Sequence, residues 1–249
     1  MNTAPKKKTN IIFFSLILIA TSAAHGMRPS KLLMRAIKTV TPPQKINKIL
    51  PMANNRHSLH KAAENGTNHT IRRLLKSGVP VDLPDHNLAT PLTIATQNAQ
   101  LLSTIKLLLK NNANVNAKNI HEETPLIKSA YQKNIAIPSL LLKYGADINA
   151  SNTMGETALM IAAQQGNNFT ASLLIIRGAN PQAVDIYTES ALTRAIRNNS
   201  VDLVKELLQG GSDRYQKNIW GENAFDIAIE LDHVQIMNLL FNYSPKPIK

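Results

Sequence analysis

The sequence predicts an all-α solenoid built from about six helix-turn-helix repeats. One leucine position returns every 33 or 34 residues, at Leu59, Leu92, Leu126, Leu159 and Leu192, with Phe225 in the sixth place. A small or compact pair follows three and four residues later, as in Ala162–Ala163. Near the end of each of the first five repeats stands a residue suited to the left-handed conformation that ends helices: Gly78, Asn112, Gly145, Gly178 and Gly211. A fixed period of this size is typical of stacked-repeat proteins.

Each repeat is predicted to hold two short helices. In GETALMIAAQQG (155–166), Thr157 is suited to cap the first helix, Leu159, Ala162 and Ala163 share one face, and Gly166 ends it. A second helical run follows and ends in an apolar pair such as Leu207–Leu208. Because helices this short are marginal alone in water, we expect each small-residue face to be buried between neighbouring repeats.

The second repeat carries one extra residue. The step from Leu92 to Leu126 is 34 residues, whereas the other steps are 33. The additional residue falls within QNAQLLST (97–104) and predicts a local distortion of the turn between the two helices of that repeat.

The repeats resemble the ankyrin repeat family. Its Thr-Pro-Leu-His-x-Ala opening appears as TPLTIA (90–95), TPLIKS (124–129), TALMIA (157–162), SALTRA (190–195) and HSLHKA (57–62), and its Gly-Ala-Asp-x-Asn-Ala ending as GADINA (145–150), NANVNA (112–117) and GANPQA (178–183). The resemblance covers residues 54–244 and implies an ankyrin-repeat solenoid. It departs at both ends, where His57–Ser58 and Asn223–Ala224 replace Thr-Pro, as is common in capping repeats.

Residues 1–26 have the layout of a secretory signal peptide. A basic start at Lys6–Lys8 precedes an apolar run from Ile11 to Ala20 and small residues around Ala24. Even when it is extended through Ala24, this apolar stretch is shorter than the roughly 18 residues of a typical membrane span, which favours cleavage. We therefore expect an exported protein, periplasmic or secreted. The alternative is an uncleaved anchor on a membrane-tethered or lipid-contacting protein, with the repeats as a spacer.

Residues 27–53 form a basic linker, and residues 245–249 a short tail. Within the linker, PSKLLMRAIKTV (29–40) can form an amphipathic helix that either covers the edge of the first repeat or contacts an anionic membrane. Residues 1–63 hold eleven of the 28 basic residues and no acidic one, which leaves 17 basic and 16 acidic residues beyond. This near-neutral balance predicts repeats without the basic stripe that nucleic-acid binding needs, and limits weak membrane contact to residues 28–61.

No enzyme is predicted. The chain has no cysteine, no glycine-rich phosphate loop, no Gly-x-Ser-x-Gly and no His-Glu-x-x-His. His57, His60 and Glu64 could share a helix face, but the sequence supplies no fourth ligand for a metal. The ankyrin resemblance implies instead that His60 hydrogen-bonds its own turn. We assign no catalytic residue, cofactor or metal.

Two columns of residues remain free to bind a partner. Asp85, Asn119, Asn152, Asp185 and Asn218 align in a position suited to organise a turn. Two places later come Asn87, His121, Met154, Tyr187 and Trp220, beside Ile120, Thr153, Ile186 and Ile219. Tyr, Trp and Met are enriched at interfaces, so His121, Met154, Ile186, Tyr187, Ile219 and Trp220 are candidate partner-binding residues at projecting turn tips. The alternative is that these side chains fold down onto neighbouring turns.

The second column lies on the first helices. Its members are Glu64, Gln97, Tyr131, Gln164, Arg197 and Glu230, of which Gln97, Tyr131, Gln164 and Arg197 are candidate partner-binding residues on the concave face. The resemblance implies an adaptor, scaffold or inhibitor that binds a protein partner. Together with export, it predicts a host-directed effector or a periplasmic scaffold, and we expect a monomer.

Overall fold

Six pairs of short helices follow one another in the computed structural model, which describes residues 58–244. The pairs are α1 (58–64) with α2 (Asn68–Lys76), α3 (Pro91–Ala95) with α4 (Leu102–Lys110), α5 (Pro125–Ala130) with α6 (Ala136–Lys143), α7 (Ala158–Gln164) with α8 (Asn168–Ile176), α9 (Ala191–Arg197) with α10 (Val201–Gln209), and α11 (Ala224–Glu230) with α12 (Val234–Asn242). The all-α prediction is confirmed, since this part of the chain holds only two isolated β-bridges.

The helices stack in two layers. From α3 onward, each first helix packs against the first helix of the next repeat and against the second helix of its own repeat. Ala162 and Ala163 of α7 are fully buried, as predicted for a small-residue face that lies between neighbouring repeats. The repeated leucines are likewise no more than 1% exposed, whereas Phe225, in the last of the described repeats, is only partly buried.

The helices begin and end where the sequence predicts. The hydroxyls of Thr90, Thr124, Thr157 and Ser190 accept hydrogen bonds from the backbone N–H three residues later. In the last repeat, Asn223 and Asp226 cap each other's backbone reciprocally. The residues predicted to be left-handed have φ between +62° and +96°.

The second repeat is distorted as predicted. Helix α3 ends at Ala95, and the chain makes an additional turn in which Asn98 O accepts a hydrogen bond from Leu101 N at 3.1 Å. The extra residue is thus absorbed before α4 begins, so later repeats keep their stacking register.

His60 makes a hydrogen bond that the sequence did not predict. Its Nε2 lies 3.0 Å from Ala89 O, in the turn that opens the second repeat. Stacking brings this carbonyl over α1, so the histidine joins two repeats.

The predicted signal peptide and linker, His57 and the tail lie outside the described residues. Between residues 58 and 244, no helix has the length and apolar character needed to cross a bilayer.

Candidate functional site

The projecting turns are organised by the predicted column of Asp and Asn residues. In every turn the side-chain Oδ1 accepts two backbone N–H bonds, from the residues two and four positions later, at 2.8–2.9 Å or, for Trp220 N, 3.0 Å. The acceptors are Asp85, Asn119, Asn152, Asp185 and Asn218. These paired bonds give each tip the same backbone shape.

Successive tips are also joined to one another through the backbone. The bonds run from Ile120 N to Asn87 O at 2.9 Å, and from Thr153 N to His121 O, Ile186 N to Met154 O and Ile219 N to Tyr187 O at 3.0 Å. Gly155 has φ +77°, and a Cβ there would lie 3.1 Å from Asp185 Cα. The tips therefore form a tightly packed, continuous ridge.

Apolar side chains project from this ridge. The tip stripe comprises the six candidates His121, Met154, Ile186, Tyr187, Ile219 and Trp220, and all six are exposed. Ile186, Ile219 and Trp220 are 55%, 56% and 59% exposed. The rings of Tyr187 and Trp220 stack with centroids 5.8 Å apart. Their packing is therefore against each other, and most of the indole remains open to solvent.

The first-helix column lies along one exposed face. Gln97, Tyr131, Gln164 and Arg197 are all exposed, as are Glu64 and Glu230 at the two ends. Arg197 Nη2 donates to Glu189 Oε1 at 2.9 Å and lies 3.4 Å from Glu222 Oε2. Partial burial alone would lower the pKa of Arg197. The Glu189 and Glu222 carboxylates together outweigh this effect, so the pKa is raised above its ordinary value. Burial, with Glu156 and Glu123 nearby, raises the pKa of Tyr131, against the opposite effect of Arg194.

An acidic column behind this face was not identified from the sequence. Glu123, Glu156 and Glu222 each accept a hydrogen bond from the Asn four residues earlier, at 2.7–2.9 Å. In the fifth repeat Asp185 replaces that Asn and cannot donate to Glu189. The sequence did contain a signal for this arrangement, namely two departures from the repeat pattern within one repeat. Asp185 replaces the usual Asn, and Arg194 stands where neighbouring repeats have Ile161 and Ile227.

The structure overturns the expectation that the repeats lack a basic stripe. The second helices of the first four repeats, with the residue that caps each, carry seven exposed basic side chains and no acidic one. This basic face consists of Arg72, Arg73, Lys76, Lys106, Lys110, Lys143 and Arg177. None of the seven forms an ion pair with an acidic side chain of residues 58–244. A net charge hides this segregation, because the acidic residues of these repeats lie on turns and first helices.

The same described residues contain no group of three or more His, Asp or Glu side chains placed to hold a metal ion.

The comparisons agree with this architecture. Three copies of the family model for ankyrin repeats match residues 30–119, 102–185 and 173–248. The chain is also similar to a crystal structure of an ankyrin repeat domain from Acinetobacter baumannii AYE, at 29% identity and a TM-score of 0.68, with 74% of this chain and 95% of that one covered. None of the curated proteins compared with the sequence matches it.

A solenoid of capped helix pairs with ordered turn tips defines a repeat-scaffold protein, and this chain belongs to the ankyrin repeat family. Ankyrin repeats in general mediate protein–protein interactions and are typically non-enzymatic.

Proposed function

We propose that this chain is an exported, non-enzymatic interaction module that binds one protein partner through the tip stripe, with the first-helix face as a flanking contact. It acts as an adaptor or scaffold in the periplasm or as a host-directed effector. Export is proposed from the signal-peptide layout of residues 1–26.

The observation that carries the proposal is the exposed aromatic and aliphatic stripe on a rigid ridge. Water favours polar residues at projecting turns, yet Ile186, Ile219 and Trp220 are each more than half exposed. Aromatic anchors dominate binding energy at interfaces. Because backbone bonds already join the tips, little conformational entropy is lost when a partner docks.

The first-helix face supplies polar contacts beside these anchors. Arg197 is held between Glu189 and Glu222, so its guanidinium is oriented before binding. Tyr131 adds a partly exposed ring in the middle of the same face. Polar residues around an apolar centre are the usual arrangement of a protein interface.

The test is affinity capture with the full chain, followed by binding measurements on the retained protein. Trp220→Ala and Tyr187→Ala remove anchors of the tip stripe, and Tyr131→Ala and Arg197→Ala probe the rival face. Loss of binding with the tip variants supports the proposal. Loss with the second pair alone moves the site to the first-helix face, and capture of no protein by the wild-type chain contradicts the proposal.

A further inference from the structure

The basic face also exposes large apolar side chains. Phe169 and Ile176 of α8 are 80% and 79% exposed, and their spacing of seven residues places them on the same side of the helix. In the repeat alignment, Ile176 takes the position of Lys76, Lys110 and Lys143. One continuous surface therefore holds the basic side chains of α2, α4 and α6 and the apolar side chains of α8.

A groove within this surface combines the same two chemistries. Helices α4 and α6 border an open depression of about 540 Å³ with Leu102 and Leu140 among its lining residues. Lys106, Lys143 and Arg177 line the same depression. Tyr144, which caps α6, adds an exposed ring next to Lys143.

We propose that the basic face docks onto an anionic lipid surface. The lysines and arginines contact headgroup phosphates, and Phe169 and Ile176 enter the interface beneath them. An anionic membrane surface presents negatively charged headgroups directly above an apolar interior. This arrangement matches basic and exposed apolar side chains that share one face of the protein. The proposal is independent of the protein-binding proposal, because the tip stripe and the first-helix face use other residues.

The observations favour lipid over other polyanions. A nucleic-acid duplex would neutralise the basic side chains but, because its own bases are stacked inside, would offer Phe169 and Ile176 no apolar environment. A folded acidic protein would need matching positions for bases spread over four repeats, whereas lipid headgroups rearrange around them. Lys76, Lys110 and Lys143 end their helices and also complement the helix dipoles. Arg72 and Lys106 lie in mid-helix, where that role does not apply.

The test is binding of the full chain to vesicles of phosphatidylcholine with or without phosphatidylglycerol. We expect binding only to the anionic vesicles, and Lys106→Glu with Lys143→Glu to weaken it about tenfold or more. Lys118→Glu with Lys217→Glu makes the same change in net charge at two exposed turn positions outside the basic face. This control should change binding by less than about twofold, because screening limits charge effects to short range.

The apolar contribution has its own matched control. Phe169→Ser with Ile176→Ser should weaken binding severalfold and make the remainder more sensitive to salt. Phe241→Ser removes an equally exposed ring, 81% exposed, from α12, which carries no basic residue. This variant should bind like the wild type.

All substituted positions are exposed, and an unchanged urea midpoint checks that each variant is folded. Vesicle binding unchanged by Lys106→Glu with Lys143→Glu overturns the proposal and leaves membrane contact to the N-terminal segment, which all variants share. If the proposal holds, the chain does not bind an RNA duplex or polyglutamate more tightly than anionic vesicles. Should such tighter binding occur, and be lost in Lys106→Glu with Lys143→Glu but persist in Phe169→Ser with Ile176→Ser, the face is assigned to a nucleic acid or an acidic protein instead. Capture of a protein partner through the tip stripe is unaffected by either result.

Discussion

Arg194 donates a hydrogen bond from Nη2 to Asp185 Oδ2 at 2.6 Å, and each residue is only 7% exposed. Arg194 Nη1 donates to Glu156 Oε1 at 2.9 Å and to Gln164 Oε1 at 2.6 Å, both in the preceding repeat. One guanidinium thus joins the tip of its own repeat to the first helix of the one before. It also compensates for the Asp that replaces Asn in this turn.

The first prediction follows from this pair. Arg194→Ile leaves the buried Asp185 carboxylate without its cation and should lower the free energy of unfolding by about 3–5 kcal/mol. Adding Asp185→Asn recreates the combination found in the fourth repeat, where Asn152 donates to Glu156 and Ile161 replaces the arginine. The double variant should recover to within about 1 kcal/mol of the wild type in urea denaturation. A double variant as unstable as Arg194→Ile alone would contradict the compensation.

The second prediction concerns the space between layers. Ala162 is fully buried between α7 and its neighbours, so Ala162→Leu should overpack the stack and cost about 1–3 kcal/mol or more. Glu230→Leu, which places the same side chain at an exposed position of α11, is the control and should change stability by less than about 0.5 kcal/mol. An unchanged denaturation midpoint for Ala162→Leu would show that the stacking register is wrong.

The third prediction separates binding from folding at the tips. Tyr187→Ala and Trp220→Ala should each weaken partner binding by about 2 kcal/mol or more, the usual range for hot spots. Their stability should fall by only about 0.5–1.5 kcal/mol, the value of a ring pair, because most of the indole is exposed. Cooperative loss of the last two repeats in Trp220→Ala would mean that the ring serves packing and not binding.

The fourth prediction uses the environment of Tyr131. Burial first, then Glu156 and Glu123, raises the pKa of its phenol above the ordinary value of about 10. The fold therefore favours the neutral phenol, and this contribution to stability is present below the unfolded pKa and lost as the pH rises through the folded pKa. Glu123→Gln should lower the pKa of Tyr131 in a ¹³C-tyrosine NMR titration, and Tyr131→Phe identifies the signal. A pKa of Tyr131 that is unchanged in Glu123→Gln would contradict the contribution of the Glu123 charge.

The fifth prediction tests export. The mature protein should begin between Ala23 and Pro29, because small residues in this region provide the cleavage site. Terminal sequencing or intact-mass measurement of the exported form checks this. A form that retains Met1 or Asn2 would favour the membrane anchor.

The sequence by itself determined the repeat number, the helix pairs and the turn chemistry. Thr157 caps α7, Asn152 organises its tip and Asn112 ends α4, each through bonds to residues within a few positions. Such local interactions depend only on residue type and spacing, so six aligned copies predict them reliably. The extra residue of the second repeat was predicted in the same way, because a change in period is visible without coordinates.

Only the tertiary structure decided which distant side chains meet and on which side the charges gather. Arg194 reaches Glu156 across 38 residues, and Tyr187 stacks on Trp220 of the next repeat. The length and rotamers of these side chains, and not the period, determine such contacts. The basic face had the same origin, since a net charge sums over all surfaces while stacking collects Lys106, Lys143 and Arg177 around one groove.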